Sequence, residues 1–270
     1  MRKKFNLMAL LLAFLLSISM LSGCSADITP EDVGNTVIDI IDTLGRLEPD
    51  ETETDTPADT SEPDIPTSPA ATYASLTVAD IPAYDGNAWV AINDNQPFFI
   101  TDDLTTTSFE TYGELDELGR CTMSWACVGQ DLMPTEERES IGSVKPTGWV
   151  NNKYDFVDGK YLYNRCHIIG FQLTGENANK QNLITGTRYL NIEGMLPFEN
   201  MVADYVHETG NHVLYRVTPM YNGDNLVADG VLMEGWSVED DGEGICYNVF
   251  CYNVQPGVVI DYATGQNWAE

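Results

Sequence analysis

Basic residues are scarce in this chain of 270 residues: thirteen Lys and Arg stand against forty-two Asp and Glu, a formal net charge of −29. That balance excludes a protein that holds nucleic acid by a broad basic surface. It does not exclude one that grips a single phosphate in a local pocket. Six cysteines are too few to staple a chain of this length. The only histidines are His167, His207 and His212. His207 falls in an expected helix and His212 at a strand start, so a three-histidine zinc site is not expected. There is no Walker loop, no Gly-x-Gly-x-x-Gly after a strand, no His-Glu-x-x-His, no Gly-x-Ser-x-Gly and no Cys-x-x-Cys. The commonest nucleotide-binding, zinc-protease and serine-hydrolase signatures are thereby absent. What is present is enough for a core: 43% apolar residues, with thirteen Tyr, nine Phe and five Trp, exclude disorder throughout.

The N-terminus carries targeting signals. Arg2, Lys3 and Lys4 precede an apolar run from Leu7 to Leu21, interrupted only by Ser17 and Ser19. This is the pattern of a secretory signal peptide, and it is shorter than the ~20 residues of a membrane span. Leu21-Ser22-Gly23-Cys24 resembles the bacterial lipobox. The resemblance implies removal of residues 1–23, lipidation of Cys24 and anchoring on the extracellular face of the cell membrane. Residues 28–47 have the spacing of a short amphipathic helix, with Val33, Val37, Ile41 and Leu44 recurring on one side. From Glu48 to Thr72 the chain is mostly Asp, Glu, Thr, Ser and Pro, an extended and self-repelling linker. The expected organisation is a signal peptide at 1–23, a lipidated and acidic tether at 24–75, and a folded domain at 76–270.

That domain reads as α+β with a mixed or antiparallel sheet. Strands are expected over 88–92, 121–128, 212–221, 227–236 and 245–254. Asn222-Gly223 signals a hairpin between the third and fourth of these. A helix is expected from about Pro197, through Phe198, Met201, Val202, Tyr205 and Val206, to a stop at Gly210-Asn211. The cysteines left after lipidation are odd in number and are expected as buried thiols.

The bases are unevenly placed. Lys160, Arg165, Lys180 and Arg188 stand against one acid, Glu176, between positions 160 and 191. His167 lies at the centre of this island, and Asn182, Asn191 and Glu199 follow. Hydrolysing a phosphodiester takes a base for water, which imidazole supplies near neutrality. It takes a divalent cation, and Mg²⁺ prefers a few oxygen ligands with several waters retained. It also takes arginine to clamp phosphate oxygens. All of these residue types occur in one segment.

Asn164-Arg165-Cys166-His167 resembles the Asp-Arg-Gly-His signature of the DNA/RNA non-specific endonucleases of the ββα-metal superfamily. The run from Gly175 to Glu199 has the character of their streptococcal DNA-entry and secreted branch. The resemblance implies a ββα-metal core within the α+β domain. It implies His167 as general base and Arg165 as the motif arginine near metal or phosphate. It further implies Asn191 as the Mg²⁺ ligand, with Mn²⁺ as the alternative metal, and Glu199 as the residue ordering the metal's waters. Asn182 and Arg188 fall where supporting polar and phosphate contacts to substrate are expected. Asn164 replaces Asp and Cys166 replaces Gly, without removing base, ligand or arginine. Gly194 and Pro197 interrupt the stretch between Asn191 and Glu199, so Asn191 is expected on a turn ahead of the helix. The function expected is a surface-tethered, metal-dependent nuclease acting on DNA, and on RNA as a further substrate. The rivals are a non-catalytic nucleic-acid- or partner-binding lipoprotein on a degenerate nuclease fold, and a toxin-type nuclease, against which the lipobox argues.

Overall fold

The computed structural model describes residues 76–270, so the expected signal peptide, Cys24, the helix expected at 28–47 and the expected acidic linker lie outside the described residues. In chain order the strands are β1 (Trp89–Ala91), β2 (Phe109–Tyr112), β3 (Ser124–Val128) and β4 (Tyr163–His167). A single helical turn, α1 (Phe171–Thr174), leads to β5 (Leu183–Thr187). A π-helical run, Leu190–Met195, continues into α2 (Leu196–Thr209). After it come β6 (Val213–Met220), β7 (Gly230–Ser237), β8 (Cys246–Tyr252), β9 (Val258–Ile260) and β10 (Asn267–Ala269).

Six strands form one antiparallel sheet in the order β1-β8-β7-β6-β3-β2. Strand side chains alternate between its faces. Tyr215, Val217, Met233, Tyr247 and Val249 pack toward Phe198, Val202 and Val206 of α2. Leu232, Phe250 and Tyr252 pack on the other side with Leu76, Val78 and Ile81. The same second face carries Arg216, whose guanidinium makes two bonds to Glu234 at 2.6 and 2.9 Å; the carboxylate also accepts from the Phe98 backbone. Burying a large apolar side chain contributes about 1.5–3 kcal/mol, so the α2 face alone fixes where the helix lies.

The expected strands all form, with ends shifted by at most three residues. The Asn222-Gly223 signal marks a wider loop rather than a two-residue turn, because Met220 pairs with Gly230. Asp229 accepts from the Asn222 backbone, and Arg120 Nη1 donates to the Gly223 and Asn225 carbonyls, so the long connection is held open. Outside the large sheet, β4 and β5 pair antiparallel with Asn164 opposite Gly186 and His167 opposite Leu183. Together with the helix that follows, they form the ββα unit that carries the site.

Candidate active site

The helix of that unit corrects one expectation. Asn191 does not sit on a turn ahead of the helix. Tyr189 is already right-handed helical (φ −65°, ψ −48°), and the π-helical run passes directly into α2 at Leu196. The Leu196 amide reaches back five residues to the Asn191 carbonyl. The reason lies in Pro197, which brings no N–H and whose ring would clash with the carbonyl four residues earlier in a regular α-helix. A wider turn relieves that clash.

The same widening sets the chemistry. Asn191 and Glu199 are eight residues apart, which in a regular helix of ~3.6 residues per turn would leave them about 80° apart around the axis. A π turn absorbs one extra residue, so the pair behaves like positions seven apart, close to two full turns. Both side chains line a cleft of about 800 Å³. His167, Arg138, Arg165 and Arg188 line it as well.

His167 ends β4 and is 6% exposed. Its Nε2 lies 2.9 Å from the Asn177 carbonyl oxygen, which can only accept, so Nε2 carries the proton. Nδ1 therefore bears the lone pair, and Arg138 Nη2 donates to it at 3.0 Å. Burial, reinforced by the Arg138 charge and opposed by the Asn177 bond, pushes the imidazole down to about 4. It is neutral at physiological pH.

Glu199 stands across from it. Burial pushes its carboxyl up to about 7, and the Arg138 charge opposes that rise. The carboxylate lies against Gly170, where a Cβ would come within 2.7 Å of Oε2, so a side chain at 170 would push the carboxylate from its place. Neither Glu199 nor Asn191 has a hydrogen bond to its side chain among the described residues. A part-buried carboxylate without a donor is costly unless a ligand completes it. One carboxylate and one amide oxygen on a single helical face form an oxygen-only set that fits a hard divalent cation retaining waters. No cluster of three or more His, Cys, Asp or Glu is placed to hold a metal among the described residues, so the three histidines do not converge.

The remaining motif residues divide. Arg165 lines the cleft, but its Nε donates to the Val144 carbonyl and Nη2 to the Gly142 carbonyl at 3.0 Å, and it stacks on Trp149 at 4.4 Å. It ties down the 142–149 loop and leaves Nη1 as the nitrogen not engaged there. Arg188 gives Nε and Nη2 to Asp158 at 2.9 and 2.7 Å, and Nη1 lies 3.5 Å from Asn164 Oδ1. Asn182 does not touch the cleft, which corrects its expected contact with substrate. It is 0% exposed, and its amide bonds both the N–H and the carbonyl of Ile169, at 2.8 and 3.0 Å. Its role is to hold the turn behind His167.

Cys166 is fully buried, and a Cβ on Gly186 would lie 2.4 Å from its Sγ, so a glycine on the neighbouring strand makes room for the thiol. Burial raises the Cys166 thiol far above the ordinary range, which makes it inert. All five cysteines of the described residues are free thiols.

Sequence reasoning missed Arg138. It sits on a long loop, alone among Glu136, Glu137 and Glu139, where the local charge gives no hint of a contact with His167. The one available signal was a solitary base in an acidic run.

A helix follows the two-stranded hairpin, and a buried histidine of the hairpin lines one cleft with the Asn and Glu of the helix, which gives the site a ββα arrangement. The model of the DNA/RNA non-specific endonuclease family matches residues 101–238, half of the chain, and the chain belongs to that family of nucleases. In three dimensions it is similar to NucA from Streptococcus agalactiae with magnesium bound, at 24% identity and a TM-score of 0.62. That match covers 72% of this chain and 92% of NucA. It is similar also to the Sda1 nuclease with bound zinc, at 22% identity and a TM-score of 0.57, covering 68% and 97% of the two chains. At these identities the likeness is one of fold.

Proposed function

We propose that the protein is an exported, lipid-anchored endonuclease that hydrolyses phosphodiester bonds of DNA, and of RNA, with the help of a divalent metal. The observation that carries this reading is the His167 tautomer: the Asn177 carbonyl fixes the proton on Nε2 and turns the basic Nδ1 toward the side of Arg138. His167 Nδ1 accepts the proton of the attacking water. Arg138 leaves Nδ1 for a phosphate oxygen when substrate enters, which uncovers the lone pair as the phosphodiester arrives. Arg165 Nη1 and Arg188 add charge to the same phosphate wall.

Asn191 and Glu199 would hold the metal, Asn191 through its amide oxygen and Glu199 through the metal's waters. When bound, the metal supplies a positive charge against the negative charge that develops on the phosphoryl oxygens. Magnesium in NucA and zinc in Sda1 support a divalent ion here, and the oxygen-only donor set favours Mg²⁺ or Mn²⁺. The substitution of Cys166 for the family glycine does not make the site degenerate, because Gly186 accommodates the thiol. Cys24, with its lipobox, supplies the membrane attachment, and the acidic 48–72 linker the spacing.

The test is degradation of plasmid and of RNA by the full chain with Mg²⁺, with Mn²⁺, with EDTA, and with His167→Ala. Cleavage that EDTA stops and the substitution abolishes is the expected result. Failure of the wild-type protein to cut either polymer under any metal would leave a non-catalytic binding protein on a nuclease fold.

A further inference from the structure

The rim of the cleft carries an aromatic ring that the hydrolytic machinery does not use. Tyr161 lines the cleft and is 48% exposed. Its position is built. Lys153 and Tyr161 form a β-bridge that closes the 153–161 loop, and the Tyr154 amide bonds the Lys160 carbonyl inside it. Val157 anchors the loop at 3% exposure, and the Tyr154 hydroxyl donates to Asn267 Oδ1 at 2.7 Å.

The other aromatic rings of the cleft already have partners. Trp149 carries Arg165 and lies 6.4 Å from Tyr163, and Phe171 carries Arg138 at 5.9 Å. Tyr161 has only Lys153 Nζ, 4.5 Å from its centroid, and no second ring packs on it among the described residues. Lys153 forms no ion pair among the described residues either, whereas Lys160 on the same loop is bound to Asp155.

An exposed ring on a rigid mount, beside an ammonium without a counter-ion, suits a ligand that is flat, apolar on its faces and anionic next to that face. A nucleotide has that shape. Within an intact duplex the base faces are covered by neighbouring pairs, so only an unpaired or unstacked base can present one. We infer that Tyr161 is a nucleobase-stacking platform, with Lys153 placed for the phosphate of the same nucleotide, and that the cleft takes unpaired strands in preference to intact duplex. The inference rests on the nucleic-acid reading of the cleft and names the substrate form it selects.

The experiment is a cycle between protein and substrate, run on the full chain. A fluorescein-labelled single strand and its counterpart with abasic sites in place of bases are compared by anisotropy in EDTA and by KM with Mg²⁺. The proteins are wild type, Tyr161→Ala, Tyr161→Trp and, as a control, Phe156→Ala. Phe156 is 59% exposed on the same loop but does not line the cleft.

The expected result is that Tyr161→Ala weakens binding of the base-bearing strand about tenfold, a loss within the range of base–aromatic stacking. It should leave binding of the abasic strand within about twofold, while Tyr161→Trp restores the difference and Phe156→Ala does not disturb it. Wild type should also have a lower KM for single strand than for duplex of the same sequence. Equal losses on base-bearing and abasic strands, or no loss on either, overturn the platform. A base-dependent loss in Tyr161→Ala without any cleavage by wild type would uphold the platform and overturn the hydrolase reading. Cleavage without a base-dependent loss would do the reverse.

Discussion

The two walls of the cleft are built on opposite terms. On the strand wall the motif side chains are committed to protein: His167 holds the Asn177 carbonyl and Arg138, and Arg165 holds the carbonyls of Val144 and Gly142. On the helix wall Asn191 and Glu199 share a face and have no such partners among the described residues. A site that must orient a base and also admit a ligand needs both kinds of wall. Full satisfaction fixes geometry, and an unpaired polar group reserves a place. On the proposed reading, the difference gives orientation to β4 and ligand capture to the helix.

Removing the proposed base should break the strand wall's contribution most sharply. His167→Ala is expected to lower kcat by about 10²–10⁴, the usual share of a positioned general base. KM should change little, because the arginines remain. Single-turnover cleavage at saturating DNA measures this, and a loss below about tenfold would move the base elsewhere.

The walls should also respond with opposite signs in stability. Asn182 serves the strand wall from behind, and Asn182→Ala would strand the buried N–H and carbonyl of Ile169. A destabilisation of about 2–3 kcal/mol is expected. Glu199→Gln removes a poorly solvated charge on the helix wall, so the metal-free protein should be as stable as wild type or more so at alkaline pH, where the wild-type carboxyl is ionised. The same variant should lose any rise in Tm that Mg²⁺ gives the wild type. Urea titrations of both variants for stability, and thermal melts with and without Mg²⁺ for Tm, decide the matter. Equal destabilisation by both would erase the distinction between the walls.

This contrast is only half legible in the sequence. The strands β6, β7 and β8 announce themselves by length, as β-rich runs of seven or eight residues bounded by turn signals, although both of their faces are largely buried. β4 and β5 do not. β4 and β5 are only five residues each and mix polar with apolar residues, so neither stands out as a β-rich run, and the hairpin that carries the site is visible only through its motif. His167, Asn191 and Glu199 stand out because their residue types fit one chemistry at one spacing. Asn182 misleads because a buried amide and a substrate-binding amide look alike in sequence. The π-helical run is hidden because Gly194 and Pro197 signal a break, and only tertiary packing shows that the helix widens instead. Arg138 is hidden by distance along the chain, since a loop brings it to His167 from 29 residues away.

The strand wall should carry a pH signature. His167 is held near 4 in the folded protein, against about 6.5 when exposed. As pH falls below 6.5 the unfolded chain takes up a proton that the folded chain refuses, so stability declines until the folded imidazole titrates near 4. Well above the exposed value the residue contributes no pH dependence. The loss over that window is on the order of 3 kcal/mol for a group this buried. His167→Gln should flatten that part of the profile, as read from urea midpoints taken across the same window. A parallel decline in both proteins would place the depressed group elsewhere.

The smallest effect expected concerns how freely the walls meet the polymer. Arg188 lines the cleft, yet two of its nitrogens face Asp158, which is 76% exposed. An exposed ion pair is weak and screened by salt. A phosphate therefore competes with Asp158 for the guanidinium, and the loop acid acts as a mild brake on binding. Asp158→Asn keeps the shape of the loop and removes the competitor. KM for DNA is expected to fall about two- to fourfold at low ionic strength, with the gain shrinking as salt rises, because a phosphate contact contributes by releasing counterions. kcat should stay put, since Asp158 touches neither His167 nor the helix wall. A fall in KM that persists at high salt would mean that Arg188 gains a new packing contact rather than a freed charge, and an unchanged KM at every salt would remove Arg188 from the phosphate wall altogether.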